Sequence, residues 1–328
     1  MYKIKQIPED FVVNEVNNLI LEEKGEYSYF LLKKINHNTL NTIRSISQKL
    51  GINQKNIGFA GNKDKIAVTR QIISIKSSDS KLIEKIEDFK EISVLHVGNG
   101  NNEVSLGSHQ GNEFFITIRN LEENELNKIK ESENEKIQMP NYFGDQRFSK
   151  NNPLVGKAIV KKNFKEAIEL ILESNSDFNN DIMEHLNKNN NDFVGALKKV
   201  PFKLLKLFIH AYQSFIFNST IEKCIKNNLK NEKLPIVGFG TEINDKEIAK
   251  IIKEIMEEEK IILRDFIINQ IPELSQEGDE RDLFINVDGF KLIEQDKDEL
   301  NKDKFKAKIN FYLPKGSYAT VFIENLFR

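Results

Sequence analysis

The stretch 58-GFAGNKDKIAVTRQ-71 places two glycines and a Lys-Asp-Lys run between two strand-like segments, NIGFAG and AVTRQIISI. The β-branched restart at Ala67 predicts a second strand, so NKDK sits on the connecting turn. Asp64 lies between Lys63 and Lys65, with Arg70 close behind. Cations on either side favour the ionised form of a carboxylate. That suits a nucleophile and suits poorly a general acid, which must hold its proton. Gly58 and Gly61 permit close backbone approach or positive φ, and Thr69 and Gln71 add directional hydrogen-bonding groups. On spacing alone, a solvated loop explains these residues equally well. The run also differs from two nucleotide-binding signatures. Asp64 comes one position too early for the guanine-reading NKxD element, and no GxxxxGK[ST] stands upstream.

The chain around this loop is 328 residues long, 39% hydrophobic and 30% charged, enough for a sizeable core and for two domains. A single cysteine, Cys224, excludes a disulfide framework and a cysteine-based zinc site. The five histidines (37, 96, 109, 185, 210) show no ligand spacing. GFG at 238–240 is too short for a dinucleotide fingerprint, and His210 and Cys224, fourteen residues apart, make no catalytic dyad. The N-terminus has no apolar leader and no run is long enough to span a membrane, so a cytoplasmic protein is the expectation.

The net charge of -2 conceals an uneven distribution. Seven bases and one acid lie between Arg44 and Lys76, six bases and no acid between Arg147 and Lys165, and four bases and no acid between Lys198 and Lys206. Against these, 242–282 carries thirteen acids and six bases. Basic blocks assembled on one face would suit a polyanion, while any one block alone reads as a solvated face.

Strands are expected through 1–35, at 91–97 and at 112–119. A helix starts at the N-cap Asn38, carries Leu40, Ile43, Ile46 and Leu50 on one face, and stops at Gly51. Helices are also expected over 121–136, 202–228 and 245–259, the last with Ile248, Ile251, Ile252 and Ile255 in one stripe. RDLFINVDGFKLI reads as a hairpin about Asp288-Gly289. Alternation from Lys306 to Leu313 predicts a half-buried strand, followed by a short final helix with Ser317 as its N-cap.

At this point five segments, in order, carry a resemblance. GFAGNKDKIAVTRQ resembles the motif GxKDxxAxTxQ of the TruD-type tRNA pseudouridine synthases, with Gly61, Lys63, Asp64, Ala67, Thr69 and Gln71 in register. PEDFVVNEV (8–16) resembles the family's N-terminal motif, MPNYFGDQRFS (139–149) its second long motif, HAYQSFIFN (210–218) a further one and LPKGSYATVFIENLF (313–327) the C-terminal one. Ser149 departs from the glycine usual in bacterial members.

The resemblance implies an α+β pseudouridine synthase fold, a mixed and mainly antiparallel sheet with flanking helices, plus an inserted α+β TRUD domain. The core would comprise about 1–165 and 293–328, and the insert 166–292. It implies conversion of a uridine in tRNA to pseudouridine, expected at position 13 of the D-arm, with no cofactor and no metal. Asp64 would be the nucleophile and Lys5 its positive partner, with Lys63 and Arg70 as competitors for that role. Phe143 would cover the uracil, Asn141 would read its edge, and Phe11 and Tyr318 would line the pocket. Lys63, Lys65, Arg70, Arg147, Lys198 and Lys199 are candidates for RNA backbone contacts. The expected partner is tRNA, with the protein a monomer and no membrane involved. Two alternatives stand beside this reading: a catalytically inactive tRNA-binding protein or RNA chaperone on the same fold, and an aspartate-based nucleosidase acting on small substrates.

Overall fold

Period-two alternation and β-branched residues build most of the N-terminal region into strands. The computed structural model describes residues 1–76, 91–149, 151–174 and 176–328; Lys150 of the second basic block lies outside them. In chain order come β1 (Phe11–Val16), β2 (Tyr27–Ile35), α1 (Thr39–Leu50), β3 (Ile57–Phe59), β4 (Val68–Lys76), β5 (Ile92–Gly100), β6 (Gly111–Leu121), α2 (Glu123–Glu131) and β7 (Ile137–Pro140). Then follow α3 (Asn152–Val160), α4 (Phe164–Leu172), α5 (Asn179–Lys188), α6 (Phe193–Leu197), α7 (Phe202–Lys226), β8 (Lys233–Ile236), α8 (Lys246–Glu259) and β9 (Asp279–Asp282). The chain closes with β10 (Phe284–Lys297), β11 (Phe305–Pro314) and α9 (Ala319–Phe327).

Two compact units result. The first comprises Met1–Met139 and Asn286–Arg328, the second Pro140–Ile285. The sequence reading placed these changeovers at 165/166 and 292/293. Both fall earlier, the first because α3 and α4 bury Val155, Ile159, Ala167 and Ile171 in the same apolar cluster as Leu205, Phe208 and Tyr212 of α7.

The first unit is α+β, built on one mixed sheet of strand order β5-β2-β4-β1-β6-β11-β10-β7, with β3 added beside β4. β1 and β4 run parallel, with Val12 opposite Val68. The pairs β1–β6, β6–β11, β10–β11, β2–β4, β2–β5 and β3–β4 are antiparallel. Helix α1 covers one region of this sheet, burying Ile43, Ile46 and Leu50 with Phe30, Leu32, Ile73 and Ile75. Asn38 caps it by accepting from the Leu40 and Asn41 amides, and Gly51 ends it at φ 68°. Leu40, read as part of the buried stripe, is instead 53% exposed, and Thr39 and Thr42 occupy the inner face. Elsewhere Phe114 stacks on Phe311, which packs against Phe322 of α9.

Two local readings are corrected. Asp288-Gly289 does not turn a hairpin: β10 continues through it, with a register shift against β11 between Asp288 and Lys291 and Gly289 at φ 63°. The Asp-Gly pair there serves a bulge. The cap of α9 is Tyr318, without a side-chain hydrogen bond, rather than Ser317.

The second unit is helical around α7, with the small β8–β9 ribbon added. Helix α7 has a buried residue at most turns, from Leu205 to Cys224. Helix α8 buries Ile248, Ile251, Ile252 and Ile255, as its periodicity requires.

Candidate active site

The parallel pairing of β1 with β4 explains why residues far apart in sequence meet. Parallel neighbours present their N-terminal ends at the same edge of a sheet. The segment entering β1 therefore lies beside the segment entering β4, and these carry Lys5 and Asp64 respectively. The Lys5 ammonium lies 3.0 Å from Asp64 Oδ1, with the side chains 16% and 27% exposed. Lys5 has a left-handed backbone, φ 58°, unusual for a side chain of its length. Its ammonium also sits 4.0 Å from the centroid of the Phe11 ring. Phe11 itself is buried, edge-on to Phe114 at 6.0 Å between centroids, so its contact in this structure is with Lys5.

The turn before β1 is itself fastened. Asp10 accepts from the Ile7 amide and from Arg119 Nε at 2.8 Å. Arg119 reaches Asp298 at 2.9 Å and Glu299 at 3.0 Å with Nη1. Arg119, Asp10 and Asp298 are all buried. This network on β6 ties down the turn from which Lys5 and Phe11 are displayed.

The loop carrying Asp64 is held through its backbone. The Lys63 amide donates to Thr39 Oγ1 at 3.0 Å, and Gln71 Nε2 donates to the Gly61 carbonyl at 3.1 Å. Lys34 of β2, wholly buried, donates to the Asp64 carbonyl at 2.7 Å. Burial is the largest influence on the Lys34 ammonium and pulls it down to about 8; Asp64 opposes that pull and Lys63 adds to it. Gly58 is required for close approach, since a Cβ there would lie 2.4 Å from the Val104 carbonyl oxygen. Gly61 is under no such constraint: a Cβ would meet nothing nearer than His109 Cε1, at 4.0 Å. Thr69 is buried and its hydroxyl has no partner among the described residues.

The other two candidate partners of Asp64 have contacts of their own. Lys63 pairs with Glu15 at 2.6 Å and donates to Asn112 at 2.9 Å. Arg70 donates to Asn14 at 3.0 Å. Lys65 is exposed on the loop, and Tyr318 is half-buried at the head of α9. Lys5, Phe11, Lys63, Asp64, Lys65, Arg70 and Tyr318 all belong to the first unit.

Asn141, Phe143, Arg147, Lys198 and Lys199 belong to the second. Asn141 is buried, and its main-chain N–H donates to the Leu283 carbonyl at 2.9 Å. Phe143 meets Phe217 edge-on at 5.5 Å. Its backbone is gripped by Asn218, which accepts from the Phe143 amide and donates to its carbonyl, both at 2.9 Å. Arg147 donates to Ser214 at 3.2 Å. Lys198 and Lys199 are exposed between α6 and α7. Phe217, Asn218 and Ser214 come from the segment HAYQSFIFN, which thus serves to hold the NYFG segment in place.

Sequence reasoning missed Lys34, Glu15, Thr39, Asn218 and Arg281. For two of them the signal was present. Glu15 shares the strand phase of Phe11 and Val13, and Lys34 that of Phe30 and Leu32, so both face inward. A charge in the apolar phase of a strand marks a built interaction. Among the described residues no group of three or more His, Cys, Asp or Glu side chains could hold a metal ion, and no helix is long and apolar enough to cross a membrane.

The family model described as tRNA pseudouridine synthase D (TruD) matches residues 2–181, 172–234 and 220–326. The chain is 32% identical to a Methanosarcina barkeri protein named "Probable tRNA pseudouridine synthase D", over 97% of this chain and 91% of that one. It is 28% identical to the tRNA pseudouridine synthase D of Aquifex aeolicus, over 99% and 98% of the two chains. A crystal structure of the TruD protein of Methanosarcina mazei superposes with a TM-score of 0.75 at 29% identity, covering 98% of this chain and 92% of that one.

Proposed function

The chain belongs to the tRNA pseudouridine synthase D (TruD) family, and from that premise and the geometry of the Asp64 loop we propose that it isomerises a uridine of tRNA to pseudouridine, at position 13 of the D-arm. The bond between N1 of uracil and C1′ of ribose breaks, the base turns over, and C5 bonds to C1′. The C5 proton is released and N1 gains one, so atoms balance with no redox change and no co-reactant.

One observation carries the reading: a carboxylate paired with an ammonium at 3.0 Å, still partly exposed, on a loop whose backbone is fixed on both sides of it. Asp64 is the nucleophile. Lys5 holds and aims it, and Phe11 backs Lys5. A preset carboxylate needs no reorganisation at the moment of reaction. Phe143 covers the swung-out base, whose stacking on an aromatic ring contributes about 1–3 kcal/mol whatever the base. Selectivity for uracil therefore rests on the edge contacts of Asn141, with Tyr318 as a further wall. Extruding a uridine costs a few kcal/mol. Lys65, Arg70, Arg147, Lys198 and Lys199 offset it through backbone phosphates, which makes binding strongly salt-dependent. Lys63 serves the loop rather than the RNA. Residues 1–165 and 293–328 form the catalytic core, with Asn141 and Phe143 in it, and 166–292 the inserted TRUD domain; the enzyme acts as a cytoplasmic monomer without a cofactor. The binding-only alternative is not favoured, because the relatives that match almost the whole chain are named as synthases.

The test uses unmodified tRNA transcript tritiated at C5 of uridine. Wild type is expected to release tritium, and Asp64→Ala to do so at least about a thousand-fold more slowly. Binding without release would favour the RNA-binding alternative, and free uracil would favour a nucleosidase.

A further inference from the structure

Arg281 stands in an acidic segment and holds two residues at once. From β9, its Nη2 donates to Asn141 Oδ1 at 2.6 Å and its Nε to the Asn141 main-chain carbonyl at 3.0 Å. Its guanidinium carbon lies 4.3 Å from the centroid of the Phe143 ring. A guanidinium has donors and no acceptor. The atom of the Asn141 amide that faces it must therefore be the oxygen, and the flip of that amide is settled by chemistry. Asn141 is 5% exposed, and its side-chain nitrogen donates to none of the described residues. What the residue has left to offer a ligand is an N–H donor. The sequence alone allowed Asn141 to read a base as donor and acceptor together; the arginine removes the acceptor.

We propose that Arg281 is the positioning residue that makes the site specific for uracil: it fixes Asn141 as a donor to the O4 carbonyl and supports the ring that covers the base. The inference rests on the synthase reading above. It commits to O4 because uracil and cytosine share the O2 acceptor, while cytosine carries an amino donor at position 4. A donor placed at that position accepts uracil and leaves cytosine with two opposed donors. Because the side-chain amide has no other hydrogen bond to lose among the described residues, a turned Asn141 would present its acceptor to O4 and discriminate in the wrong direction.

The experiment compares tRNA transcripts whose target uridine is ordinary, 4-thio or 2-thio, scored by chromatographic nucleoside analysis and by equilibrium binding. A sulfur accepts N–H weakly, so wild type should lose roughly five- to ten-fold in kcat/KM on the 4-thio substrate and little on the 2-thio one. Arg281→Lys keeps the charge but not the fork. It should be slower on ordinary uridine by about ten-fold and indifferent to sulfur at position 4. In an Asn141→Ala background the same substitution, which keeps a cation to support the Phe143 ring, should add little. Asn141→Asp retains an oxygen for Arg281 but has no donor, and it too should ignore the 4-thio change; this variant decides the matter if the lysine variant fails to fold. An equal 4-thio penalty in wild type and Arg281→Lys, or additive losses with Asn141→Ala, would overturn the role of Arg281. Absence of any pseudouridine from wild type would instead sink the synthase reading, and the binding comparison would still decide the arginine's role.

Discussion

Lys63 and Asp64 are neighbours in the chain, yet their ion pairs end in opposite surroundings. Lys63 meets Glu15 at 2.6 Å with the two side chains 6% and 0% exposed. Asp64 meets Lys5 at 3.0 Å with both side chains still reached by solvent. A buried pair is held by the penalty of separating it, since removing one partner strands a charge without water. A partly exposed pair contributes little to stability because solvent screens it. The loop buries the first pair and leaves the second, one residue later, within reach of solvent, as the proposed nucleophile requires.

The largest effect that would break this comparison is at the buried end. Lys63→Met leaves the Glu15 carboxylate without its counter-charge and should cost about 3–5 kcal/mol of stability in denaturant unfolding. Combining it with Glu15→Gln should recover part of that loss. A cost below about 1 kcal/mol for the single substitution would make the two pairs equivalent and remove the distinction.

Lys34 sharpens the same contrast through pH. Its folded ammonium titrates near 8, against an ordinary 10.5. Between those values the unfolded chain binds the proton and the folded chain does not, so stability from this group rises with pH. Below about 8 both states hold the proton and the full burial penalty applies. The wild type should therefore gain on Lys34→Met by roughly 3 kcal/mol as pH rises from 7 to beyond 10, followed by urea unfolding at intervals. A pH-independent difference would mean that the folded Lys34 keeps its proton as far up the pH scale as the unfolded chain does, so that burial behind the Asp64 carbonyl does not lower it.

How far the sequence foretold this site depends on the range over which each interaction acts. The turn at 61–66, the strand after it and the capped helix α1 are local, and their residues announce them. The Lys5–Asp64 pair spans 59 positions and was accessible only through the family resemblance. What the residues themselves held, and the reading passed over, was strand phase: Glu15 and Lys34 stand where apolar side chains should, and each is buried against the loop. The Asp288-Gly289 pair shows the opposite failure, a strong hairpin signal overridden by β10 continuing along β11. Arg281 could not be found at all, because it lies 140 positions from Asn141 and reaches it through the docking of β9. The compact units divide the chain at residues other than the expected domain boundaries for a related reason. The apolar faces of α3 and α4 match several partners in sequence, and only packing assigns them to α7.

The smallest structural effect belongs to the functional pair. Lys5→Met keeps an apolar stem over Phe11 and removes the ammonium 3.0 Å from Asp64. Its stability cost should stay within about 1 kcal/mol, since the pair is partly solvated and the cation–π contact adds only about 0.5–1 kcal/mol at such a site. Single-turnover tritium release should nevertheless fall by about ten- to a hundred-fold, because the anion loses the charge that aims it. Lys5→Arg should restore part of the rate, as a cation of similar reach. This inversion, a small loss of stability with a large loss of rate, is the reverse of what Lys63→Met should do one residue before Asp64. If Lys5→Met instead unfolds the protein as readily as Lys63→Met, the left-handed turn at Lys5 is held by its ion pair. The carboxylate would then be part of the scaffold rather than a group the scaffold presents.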